Sequence, residues 1–164
     1  MSNPSPNLQQ LAELTQRLEQ ADYEWYMRER LLAEMVTQSP YGLIACNRDG
    51  RFIVWNEKAT ELIGRGSPTF TVDNWSAICK LKWASDKKTL FSGLDCPLAR
   101  ALKGEVVECA YMWIGDEKTG RMLRCSAKPI SDSTSLIGAV LIFFDNAIPT
   151  GDPGNEPKRA ISGG

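Results

Sequence analysis

Apolar and small residues recur at alternating steps of three and four between positions 8 and 38: Leu11, Leu14, Leu18, Ala21, Trp25, Leu32 and Met35, with Arg28 as the one interruption. This spacing predicts a long helix over residues 8–38 with a coiled-coil seam along one side. Ser5 can cap it, Pro6 sits where a first-turn proline is tolerated, and Ser39-Pro40 stops it. The stripe can be satisfied in two ways. It can fold back on its own domain, or it can face a partner helix. The length and regularity of the seam favour the partner, so these seven residues are the expected dimer interface.

Beyond Pro40 the pattern changes. Leu43 to Asn47 and Phe52 to Trp55 are apolar runs around Arg48-Asp49-Gly50, and Asp-Gly between such runs predicts a hairpin. Asn56 then reads as a helix cap, Glu57 as a first-turn acid, Ala59, Leu62 and Ile63 as an inward stripe, and Gly64 as the stop. Gly66, Ser67 and Pro68 mark a loop. The stretch to residue 94 shows only scattered aromatics (Phe70, Trp75, Trp83 and Phe91) without a period. Asp95 reads as the cap of a second short helix that turns Leu98, Ala101 and Leu102 inward and ends at Gly104. Three more strands follow: Glu105 to Ile114, Met122 to Ile130 with Leu123, Cys125 and Ala127 on one side, and Leu136 to Phe144. The loops between them are polar, which predicts an antiparallel meander.

The ends differ in composition. Residues 1–7 are dominated by Pro, Ser and Asn, and residues 147–164 hold three prolines and four glycines. Both are expected to be disordered.

Composition narrows the chemistry. The 164 residues suit one domain with flanking segments, and 43% hydrophobic content can fill a core. A net charge of −1 gives no electrostatic reason to expect nucleic acid or a membrane surface, and no apolar run reaches the length of a bilayer span. The five cysteines never form a CxxC pair, which favours a reducing, cytoplasmic compartment over a disulfide scaffold or zinc site. The chain contains no histidine. That removes Ser-His and Cys-His catalytic pairs, histidine-ligated haem or zinc, and a phosphoacceptor histidine.

Three segments carry a resemblance. "YGLIACNRDGRFIVWNEKATELIG", "LDCPLARALKGEVVE" and "AKPISDSTSLIGAVLIFFD" stand in the order and spacing of a PAS domain over residues 41–146. The first is similar to the family's opening hairpin and helix, the second to the segment before its third strand, and the third to its last hairpin. The resemblance implies an α+β fold: a five-stranded antiparallel sheet with short helices on one face, here preceded by the long N-terminal helix. It also implies a non-catalytic sensory, dimerisation or adaptor module, as in bacterial two-component signalling, with a small cavity between sheet and helices. One departure is expected to matter. Where many PAS domains lead through a terminal Asp into an output helix, Asp145 is followed by Asn146-Ala147-Ile148-Pro149. The signal is therefore expected to leave through the N-terminal helix or a protein partner.

If the family cavity is present, Ile63, Leu98, Leu102, Leu123, Cys125, Ala139 and Leu141 are the candidate lining. The alternative for so apolar a set is a filled core. No cofactor is named by the sequence: it has no histidine for haem and no flavin-cysteine motif, since "DNWSAICKLKW" carries its cysteine among the wrong neighbours. Cys96 near a helix start could be redox-active, against the plainer reading of a half-buried thiol. Lysines around Trp83 in "KLKWASDKK" read as a solvated loop with one anchoring ring rather than a nucleic-acid site. The expected function is a homodimeric sensor or adaptor with a protein partner. The alternative is a redox or small-ligand sensor holding a cofactor noncovalently.

Overall fold

A proline cannot continue a helix, and the residue before it is pushed into extended backbone, so the first element ends where Ser39-Pro40 requires. In the computed structural model, which describes residues 5–66 and 69–146, this helix (α1) runs Pro6–Thr37, starting two residues earlier than the expected Leu8. Of residues 1–7, expected to be disordered, Pro6 and Asn7 belong to this helix; residues 1–4, the expected disorder at 147–164, and Ser67-Pro68 of the expected loop lie outside the described residues.

The domain that follows is built on β1 (Gly42–Asn47), β2 (Phe52–Trp55), β3 (Leu81–Trp83), β4 (Val107–Ile114), β5 (Arg121–Ser131) and β6 (Leu136–Asp145). All pair antiparallel in one sheet of order β2-β1-β6-β5-β4-β3. The expectation of five strands falls short by β3. Three residues are too few for alternation to be read, yet they pair fully with β4, Leu81 opposite Ile114 and Trp83 opposite Met112. At the β1–β2 turn the Asn47 side chain accepts from the Asp49 and Arg51 amides, and Gly50 takes the positive φ of 76° that a turn of this kind needs.

Three short helices cover one face of the sheet: α2 (Glu57–Ile63), α3 (Val72–Ile78) and α4 (Pro97–Leu102). α2 packs on β1, α3 on β3, and α4 on β5 and β6. The cap of α4 is Cys96, not the expected Asp95. Pro97 occupies the first helical turn and forces the residue before it into extended backbone, φ −64° and ψ 148°, which is the cap conformation. Asp95 instead accepts a hydrogen bond from Ser92 Oγ.

Between helices and sheet lies one apolar core, led by Trp75, Phe143, Ile44, Leu81, Leu98, Met112, Leu123 and Leu141. α1 contributes nothing to it. None of its residues is buried, so the helix does not fold back on its own domain.

Candidate functional site

The seven residues proposed to line a cavity do come together. Leu98 from α4, Leu123 and Cys125 from β5, and Ala139 and Leu141 from β6 are buried members of the core, and Ile63 and Leu102 pack partly buried against it. The strand residues share a face because the sheet alternates with period two, so Leu123, Cys125 and Ala127 of β5 and Ala139, Leu141 and Phe143 of β6 are all buried on the same side. Their mutual contact is a packed interior. An open cleft of about 240 Å³ lies at the edge of this layer, between the end of α2 and the β4–β5 turn, and only Ile63 of the seven reaches it. A second depression, along Gln10, Glu13, Leu14 and Arg17, belongs to one face of α1, and four side chains of one helix cannot enclose a ligand.

Two polar groups in this interior were not singled out by sequence. Trp75 Nε1 and Ser76 Oγ, both on α3, are buried without a hydrogen-bond partner. Their polar neighbours are the sulfurs of Cys79 and Cys96, and sulfur is a weak acceptor. An unpaired buried donor costs about 1–3 kcal/mol, so these two atoms carry an unmet demand within the packed layer. The rings around Trp75 are tightly arranged: Phe52 meets it edge-to-face at 5.8 Å and Trp55 at 6.4 Å between centroids.

Among the described residues all five cysteines are unpaired, and no group of three or more His, Cys, Asp or Glu could hold a metal ion. Burial dominates the thiols' acidity. It pushes Cys46 up to about 11 and Cys125 up to about 12, and it raises Cys79 and Cys96 as well. At Cys96 burial outweighs the helix-start amides of Ala99 and Leu98 and the Ser76 hydroxyl, which pull the other way, and Asp95 adds only a small raising influence. A raised thiol pKa keeps the neutral form in the fold, whereas the unfolded chain ionises from about pH 9. Stability from these groups is therefore full below pH 9 and is lost as pH climbs from there through the folded value near 11. Cys109 is exposed, with Arg124 Nε donating to its sulfur at 3.4 Å. Alkylation of the native protein at pH 8 is expected to modify Cys109 alone, with the other four reacting only after denaturant is added. Peptide mass mapping would show it, and early labelling of Cys96 would contradict the packing described.

The lysine-rich segment is held by its own fold. Trp83 packs on Phe91 at 4.3 Å, Lys82 donates to the Gly115 carbonyl, and Lys87 lies 4.5 Å over the Trp113 ring.

The second region of interest is the seam of α1. Leu11, Leu14, Leu18, Trp25, Leu32 and Met35 are between 55% and 69% exposed, and Ala21 is exposed with them. The stripe runs along one side of the helix with none of it buried against the domain. Among the described residues, one side chain ties this helix to the domain by hydrogen bonds. Asn56, buried at the start of α2, accepts from the Leu43 and Ala59 amides through Oδ1 and donates through Nδ2 to the carbonyls of Val36 and Tyr41, all at 2.9 Å. The expected cap is present, and the same amide also ties the last turn of α1 and the link after it to β1 and α2.

No protein-family model matches this sequence, and no curated protein matches it. Solved structures do. The PAS domain of an HTR-like protein from Haloarcula marismortui superposes with a TM-score of 0.53 at 11% identity, over 77% of this chain and 98% of that one. The E. coli DhaR(N)-DhaL complex contains a similar chain, with a TM-score of 0.50 at 13% identity, over 76% of this chain and 38% of that one. Sheet order, the helices on one face and these superpositions agree: the domain that follows α1 has the PAS fold.

Proposed function

We propose that this chain is a non-catalytic signal-relay module that dimerises through α1 and passes changes in its PAS-fold core to a partner protein by way of that helix. The observation that carries the reading is the Asn56 amide. It is the point at which a displacement of β1 or α2 becomes a displacement of the end of α1, because all four of its hydrogen bonds would have to adjust together. The exposed stripe supplies a surface for a second copy. One of the similar structures is a complex of two proteins, which supports a protein partner here as well. Unpaired thiols suit a reducing, cytoplasmic setting.

The direct test is Leu18→Asp combined with Leu32→Asp. Both side chains are exposed in the single chain, so folding of the domain is expected to be unchanged. Sedimentation velocity at micromolar concentration is expected to show a dimer for the native chain and a monomer for the variant, with an affinity loss of at least about a hundredfold from two apolar contacts on each helix. A variant that remains dimeric would remove α1 from the reading.

A second reading, a small-ligand or redox sensor with a noncovalently held cofactor, is favoured by Trp75 Nε1 and Ser76 Oγ, whose unmet hydrogen bonds a carbonyl-bearing guest could satisfy. Native mass spectrometry of the purified protein distinguishes the two: extra mass retained by the native chain and lost in a Ser76→Ala variant supports a guest at this place, and a bare chain supports the relay alone.

A further inference from the structure

The charges that flank the α1 stripe distinguish between the two ways in which two such helices can lie. With Leu11, Leu18, Trp25 and Leu32 at one seam position and Leu14, Ala21, Arg28 and Met35 at the other, Arg17, Glu24 and Leu31 fall on one shoulder, and Asp22, Glu29 and Val36 on the other. We infer that α1 pairs with α1 of a second copy in parallel and in register, with Arg28 as the polar layer that fixes that register. The inference rests on the dimer reading proposed above and adds orientation and register to it.

In the parallel arrangement each shoulder meets the opposite shoulder of the other helix one heptad on. Arg17 then faces Asp22 of the second copy, twice over by symmetry. Glu24 faces Glu29 of the second copy, which alone would repel. In register Arg28 lies opposite Arg28 of the second copy, and the two guanidiniums, which would repel if both stayed in the seam, can each reach out of it to Glu24 of its own helix and Glu29 of the other. In the antiparallel arrangement like shoulders meet. Asp22 then approaches Asp22 and Glu24 approaches Glu24, while Arg28 lies opposite Leu18 with Glu24 and Glu29 of its own helix as its nearest carboxylates. The antiparallel pairing exchanges two Arg17–Asp22 attractions for an Asp22–Asp22 repulsion, which makes it the costlier of the two. A single polar residue within an apolar seam selects register and partner number at some cost in stability, and Arg28 is the only charged residue of the eight seam positions. The helix is long enough for this to matter: 32 residues give a rod of about 48 Å.

The test uses the full chain with Cys109→Ser, which removes the exposed thiol and leaves the four buried ones. Into this background go Leu14→Cys and, separately, Leu32→Cys. Each protein is examined alone and as a refolded equimolar mixture, under mild oxidation by glutathione disulfide. In the parallel pairing residue 14 faces residue 14 at a separation that a disulfide can bridge. In the antiparallel pairing the two copies of residue 14 are about 27 Å apart, and residue 14 faces residue 32. Peptide mapping is expected to find 14–14 and 32–32 bonds and no 14–32 bond. A dimer that forms the 14–32 bond overturns the orientation while leaving the α1 dimer intact. A monomer in sedimentation, or a dimer that forms none of these bonds, overturns the α1 dimer itself. Arg28→Leu completes the set: it is expected to tighten dimerisation by at least about tenfold and, with the register layer gone, to allow off-register or higher-order species that the native chain does not form. A weaker dimer in that variant would show that Arg28 is an attachment point and not a register device, against the inference.

Discussion

Gly138→Ala is expected to destabilise the domain by about 3 kcal/mol or more, near the upper end of what overpacking costs. A methyl group at this position would overlap the Cys46 carbonyl oxygen and lie 3.2 Å from its carbonyl carbon and 3.3 Å from Asn47 Cα. All three are backbone atoms of β1, so no side chain can swing away. β6 cannot retreat either, because at this point it pairs with Asn47 on one side and Ile130 on the other. Relief therefore means opening the central β1–β6 ladder, where Ala139 and Cys46 are held face to face above the core. Urea titration is expected to show a lower midpoint with an unchanged slope, since the unfolded chain exposes the same surface. Gly66→Ala is the control: nothing lies within 4 Å of the added methyl and its φ is not positive, so the change is expected to stay within about 1 kcal/mol of the native protein. Equal midpoints for the two variants would mean that the β1–β6 approach is looser than described.

The parts of the fold that could be read from the sequence are those in which two independent signals coincide. From Leu43 to Gly64 an alternating pattern, an Asp-Gly turn, an asparagine cap and a closing glycine all agree, and the structure contains that hairpin and helix. β5 and β6 are long enough for period two to declare which face is buried. α3 and β3 are seven and three residues long, and they hold Trp75, Leu81 and Trp83 among polar neighbours, so neither period could emerge. Their aromatics looked scattered because they answer to partners far away in the chain: Trp75 to Phe52 and Trp55, and Trp83 to Phe91. At α4 a general preference for aspartate at caps competed with the specific demand of a following proline, and the proline prevailed.

The candidate site was legible to a similar extent and for similar reasons. Strand alternation was enough to gather Leu123, Cys125, Ala139 and Leu141 on one face, and helix periodicity placed Leu98 above them. Alternation says nothing about whether that space holds a guest. The signals that bear on it, Trp75 Nε1 and Ser76 Oγ, depend on which acceptors the tertiary fold leaves out of reach. The stripe on α1 was visible because it is written in one continuous segment. Its attachment was not, because Asn56 meets Val36 and Tyr41 through backbone carbonyls, which carry no residue-type signature.

That attachment is the subject of the other large effect. Asn56→Ala is expected to cost about 3–5 kcal/mol: roughly 1 kcal/mol for the lost cap, and the remainder for taking this partner from the part-buried Leu43 amide and Tyr41 carbonyl and leaving the Val36 carbonyl only the long bond from the Ser39 amide. Asn56→Ser separates the two roles. A serine oxygen can still cap the Ala59 amide, but serine is too short and has too few donors to hold both carbonyls. Its cost is expected to be about 2–4 kcal/mol, the alanine figure less the cap, and with the cap kept the domain is expected to stay folded while α1 loses its tie. Hydrogen exchange at the Leu43 amide, which Asn56 Oδ1 protects in the native chain, is expected to accelerate in both variants. The deciding measurement is a distance distribution between spin labels on the exposed native Cys109 and on Arg30→Cys, in samples diluted with unlabelled protein. In the native background it should be narrow. In Asn56→Ser it should broaden, although urea titration reports a domain still folded. An unchanged distribution would mean that the Asn56 bonds do not set the direction of α1, and the relay would then lose the contact proposed to move the helix.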